Sequence, residues 1–72
     1  MTRFKFNLYE ERILRVMRAY YDSMVVNDIA DQADIHWETT EKYLKKLKTK
    51  KVVKIVKIDG RDFWEAVRKE GD

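Results

Sequence analysis

The stretch ADIHWETTEKYLKKLKTKK, residues 33–51, decides how this chain reads. It opens polar and acidic, then becomes a ladder of lysines with Leu44 and Leu47 threaded through it. Thr40, Leu44 and Leu47 recur at spacings of four and three, the pattern of one buried stripe on an amphipathic helix. The spacing predicts a helix over about 37–50. Glu38, Thr39, Lys42, Lys45, Lys46 and Thr49 fall on its other face. Such a helix is either a solvated surface element or one that lies against a polyanion.

Working outward toward the N-terminus, Asn7 followed by Glu10 forms a capping pair. Ile13, Val16, Met17 and Tyr20 then recur at helical spacing, widened by Leu14 and Tyr21. This predicts a first helix over about 8–21, broken at Asp22-Ser23. Met24-Val25-Val26 is short and apolar, suited to a single extended rung. A second helix is expected over about 27–33, with Ile29, Ala30 and Ala33 inward. Asp34-Ile35-His36 leaves only a tight connection before the third helix.

Toward the C-terminus the period changes. VVKIVKI is rich in β-branched residues, Asp59-Gly60 is a two-residue hairpin turn, and RDFWEAV returns. The turn sets Ile58 against Arg61, Lys57 against Asp62, Val56 against Phe63, Ile55 against Trp64 and Lys54 against Glu65. Two of these pairs are oppositely charged and two are apolar–aromatic, so the register supports itself. The whole chain, 1–72, therefore reads as one α+β domain, three helices followed by a two-stranded β-hairpin over about 52–67.

Composition bounds the function. Seventy-two residues make one small domain. With 44% hydrophobic residues the chain can build a core, although 40% of it is charged. There is no Cys, which excludes disulfides and thiolate metal sites. There is no apolar run long enough to span a membrane and no signal-like apolar core near residue 1, so a cytoplasmic location is expected. Abundant Lys and Glu with only three side-chain amides suit a heat-adapted protein. The net charge of +3 is unevenly spread. Residues 22–35 hold four aspartates and no cation, whereas residues 36–61 hold nine cations against three acids. That basic third is the candidate electrostatic footprint.

DIADQADIHWETTEKYLKKLKTKKVV, residues 28–53, resembles the helix-turn-helix of winged-helix transcription regulators, especially small archaeal ones. The matching residues are Ile29-Ala30, Ala33, Ile35, Thr39, Leu44, Leu47 and the pair Val52-Val53, with Trp37 and Tyr43 in addition. Asp34 and Lys51 stand where the family usually has Gly, and the hairpin tip is shorter and less basic than most DNA-probing wings. The resemblance implies a winged helix-turn-helix that binds double-stranded DNA, with helix 3 in the major groove and the hairpin as a wing on the flank.

Within that frame, His36, Trp37, Glu38 and Thr39 open the recognition helix, where base edges are approached. Thr39 can meet a phosphate, a base edge or a thymine methyl, and Glu38 can accept from cytosine or simply favour the helix N-terminus. Trp37 is either a groove contact or an anchor packed over the turn. Thr40 is expected in the core. Lys42, Lys45 and Lys46 are expected on phosphates, and Tyr43 on a phosphate or over the base of the wing. Arg61 is the wing residue expected at DNA, while Lys57 is expected to pair with Asp62. His36, the only His, has neither metal-ligand partners nor a nucleophile beside it, so no metal, cofactor or catalytic centre is expected.

The hairpin carries apolar groups on both faces, and only one can meet its own core. The other, Val56 with Phe63, together with Phe4 and Phe6, is a candidate homodimer surface. Three functions compete: a sequence-specific regulator, a protein-interaction winged helix in a transcription or replication assembly, and a non-specific architectural DNA binder. No small-molecule ligand is evident.

Overall fold

The computed structural model describes residues 6–20 and 23–67. Three helices, α1 (Leu8–Ala19), α2 (Val26–Ala33) and α3 (Trp37–Thr49), precede an antiparallel hairpin of β1 (Val53–Ile58) and β2 (Arg61–Ala66). The architecture is α+β, as the period changes along the chain require.

Helix α1 starts at the expected cap. The Asn7 side chain accepts from the Glu10 backbone N–H at 2.8 Å, and the Glu10 carboxylate accepts from the Asn7 N–H at 2.9 Å. The helix ends at Ala19, two residues short of expectation. Tyr20 turns to extended backbone, and its hydroxyl donates to Gln32 on α2 at 3.1 Å. Tyr21 lies outside the described residues.

Met24 forms the expected single rung. Its N–H donates to the Trp64 carbonyl at 2.9 Å, and the Trp64 N–H donates back at 2.6 Å. The chain leaves the sheet directly into α2, which therefore begins at Val26, one residue early and without a side-chain cap.

Asp34 ends α2 in the left-handed region, φ 59° and ψ 48°. The Ile35 N–H reaches the Ala30 carbonyl at 3.0 Å, closing the helix as a glycine-type cap would. Asp tolerates this conformation better than most residues, and a β-branched residue tolerates it worst. Asp34→Val should cost about 1–2 kcal/mol, whereas Asp34→Gly should leave stability within about 0.5 kcal/mol; urea midpoints of the two variants measure the difference. Lys51 repeats the device at φ 65°, after α3 ends one residue early at Thr49.

Asp59 (φ 52°) and Gly60 (φ 79°) make the hairpin turn, both at positive φ. All five expected cross-strand pairs are present, and Val53 opposite Ala66 adds a sixth. Lys57 pairs with Asp62 at 3.6 Å and Lys54 with Glu65 at 3.5 Å. Trp64 and Val53 turn inward; Val56 and Phe63 turn to the other face, half-buried.

The core joins Ile13, Leu14 and Met17 of α1, Ile29 of α2, Leu44 and Leu47 of α3, and Val53 and Trp64 of the hairpin. Thr40 is fully buried among them, its hydroxyl donating to the His36 carbonyl at 3.0 Å. One charge is buried as well. Glu10 is only 3% exposed, and its carboxylate accepts from the Lys50 ammonium at 3.2 Å. That ion pair ties the first turn of α1 to the end of α3, so the cap of one helix fixes the position of another.

Candidate nucleic-acid interface

Thr40, Leu44 and Leu47 anchor α3 to the core, so the helical period fixes what faces out. Glu38, Lys42, Lys45, Lys46, Lys48 and Thr49 are exposed. Seven of the eight lysines of the basic third sort into two groups, with Lys51 standing between α3 and the hairpin at positive φ. Lys50, Lys54 and Lys57 are engaged by carboxylates. Among the described residues no ion pair engages Lys42, Lys45, Lys46 or Lys48. Of the paired lysines only Lys50 meets a buried carboxylate; the α3 lysines reach solvent.

Tyr43 is not over the base of the hairpin. It is half-buried and stacks on Tyr9 of α1, ring centroids 5.5 Å apart. The Lys42 and Lys46 ammonium groups lie 5.4 and 5.5 Å from its ring centroid. These cation–π contacts bias two long side chains toward defined positions beside one phenol. Lys45 and Lys48 lie on the side of α3 away from Tyr43, lining a groove with Glu41 of the same helix and Ile55, Asp62 and Trp64 of the hairpin.

At the start of α3, His36 is the cap: its Nδ1 accepts from the Glu38 N–H at 3.2 Å. Glu38 is exposed, with an oxygen 4.0 Å from His36 Nδ1, in the first turn where its charge favours the helix. Trp37 is 49% exposed and stacks on His36 with centroids 6.1 Å apart, so it is not buried over the turn. Thr39 is half-buried. Arg61 is exposed beside the hairpin turn, with no ion-pair partner among the described residues.

The structure thus brings His36, Trp37, Glu38, Lys42, Lys45 and Lys46 onto one exposed helix, with Tyr43 braced to its side and Arg61 at the hairpin tip. Phe4 lies outside the described residues. Phe6 packs against the core with the Lys50 ammonium 4.9 Å above its ring, away from the Val56–Phe63 face. Two residues of the site went unassigned from sequence. Lys48 could have been placed by extending the helical period one step. Tyr9 carries no local signal, because its role comes from a contact 34 positions along the chain.

No family model, curated protein or solved structure matches this chain. Among the described residues, no helix is long and apolar enough to cross a membrane.

Proposed function

We propose that this protein is a winged helix-turn-helix that binds double-stranded DNA sequence-specifically as a transcription regulator. Helix α3 lies in the major groove and the hairpin flanks it. One observation carries the reading: among the described residues the four lysines on the exposed face of α3 have no carboxylate partner, while Lys50, Lys54 and Lys57 each have one. A merely solvated helix has no need of that division. Lys42, Lys45 and Lys46 neutralise phosphates, with the Tyr43 hydroxyl beside them. Trp37 and Thr39, at the end of α3 that approaches base edges in this motif, supply the sequence preference, and Arg61 contacts the flank. Two copies on paired half-sites suit such a reader, because protein two-fold symmetry then matches the DNA site.

Fluorescence anisotropy of a labelled duplex tests this. Affinity should fall by about tenfold or more for every two to three phosphates contacted as salt rises from about 50 to 200 mM. Enrichment of one sequence from a random pool would separate a specific reader from an architectural binder. Absence of duplex binding at either salt would sink the reading and leave α3 as a protein-facing surface.

A further inference from the structure

Helices α1 and α2 pack against each other and against α3, and each keeps an exposed outer face. Those faces are charged in opposite senses. On α1, Arg12, Arg15 and Arg18 stand three residues apart and all are exposed. On α2 and its cap, Asp28, Asp31 and Asp34 stand three residues apart and all are exposed. Residues at that spacing form a slanted ridge on a helix surface, and the two ridges have the same pitch. Helix α2 carries no cation, and Glu11 is the one exposed acid among the α1 arginines. Where the ridges approach, they frame a shallow cleft floored by Val16 and Ala33 and edged by Arg12, Arg15, Gln32 and Asp34.

Among the described residues, no ion pair within the chain joins these arginines to these aspartates. Six exposed charges of matched number and spacing thus have no ion-pair partner among the described residues. A polyanion would fit the arginines but be repelled by the aspartates beside them. A basic partner would have the converse problem. A surface that is half one and half the other is complementary to itself. A two-fold axis running along and between the ridges lays each arginine ridge on the aspartate ridge of a second copy.

We propose that the α1–α2 face is the docking surface for a second copy of this chain, held by reciprocal contacts of Arg12, Arg15 and Arg18 with Asp28, Asp31 and Asp34. The proposal does not depend on DNA binding, and its test contains no DNA.

Sedimentation equilibrium measures it. The wild-type chain should dimerise at about 50 mM salt and weaken by about tenfold or more at 500 mM, because exposed charge pairs are screened. The variant R15E/R18E turns the face acidic, and D28K/D31K turns it basic. Each alone should be monomeric, and an equimolar mixture should form a heterodimer. Should either variant fold poorly, D28N/D31N keeps the shape, removes the charge and should also be monomeric. A wild-type monomer at low salt overturns the proposal. So does a dimer indifferent to salt and to these substitutions, which would place the contact on the Val56–Phe63 face. A mixture that stays monomeric overturns it too.

Discussion

Replacing Lys42, Lys45 and Lys46 together by alanine should weaken duplex binding at about 50 mM salt by at least a hundredfold. The same change should flatten the slope of log affinity against log salt by about 2.7. Both numbers follow from counterion release: each phosphate neutralised frees about 0.9 of a condensed ion, so three lost contacts remove about three such terms. The fold should not notice. All three side chains are exposed and none is in an ion pair among the described residues. Alanine is also the better helix former, so the melting temperature should hold or rise slightly. The control triple is Lys50→Ala, Lys54→Ala and Lys57→Ala. It removes the same charge from the same third of the chain but from paired side chains. It should cost stability through the buried Glu10 and change the salt slope less. If the two triples flatten the slope equally, binding responds to net charge alone and the face of α3 has no special standing.

That contrast could not have been set up from the sequence. A lysine ladder declares a basic segment but not which lysines are spent. Lys54 and Lys57 could be assigned to Glu65 and Asp62, because a two-residue Asp-Gly turn fixes register and register fixes partners. Lys50 could not. Its partner Glu10 lies 40 residues away and announces itself only as half of a capping box. The same limit explains Tyr43. Periodicity puts it at the margin of the buried stripe, and what waits at that margin, Tyr9, depends on how α1 crosses α3. Local chemistry was legible: the Asn7 cap, the tight connection at Asp34-Ile35-His36, the hairpin pairs and the inward Thr40. Helix ends were legible to within two residues. They shifted where a tertiary contact intervened, as when the Met24 rung on Trp64 pulled the start of α2 forward.

Leu44→Ala should be the most damaging single change on the same helix, for the opposite reason. Leu44 is fully buried in the cluster of Ile13, Ile29, Leu47 and Trp64, between the very lysines whose loss the fold should ignore. Truncation removes its transfer free energy and leaves a cavity, together costing about 2–5 kcal/mol. A domain of this length has about 4–11 kcal/mol to lose, so the upper part of that range unfolds a large fraction of the molecules. In thermal melts the midpoint should fall by roughly 10–30 °C. A shift under about 5 °C would mean that the cluster collapses around the gap, and that Leu44 is not the centre it is read to be. Binding separates the two kinds of damage. Well below its lowered midpoint, the variant still presents Lys42, Lys45 and Lys46, so its apparent affinity should drop only by its unfolded fraction while the salt slope stays that of wild type. The lysine triple should do the reverse, keeping the melt and losing the slope. Position along the helix cannot distinguish Leu44 from Lys45; the one-residue rotation between core and surface does, and these two measurements read that rotation directly.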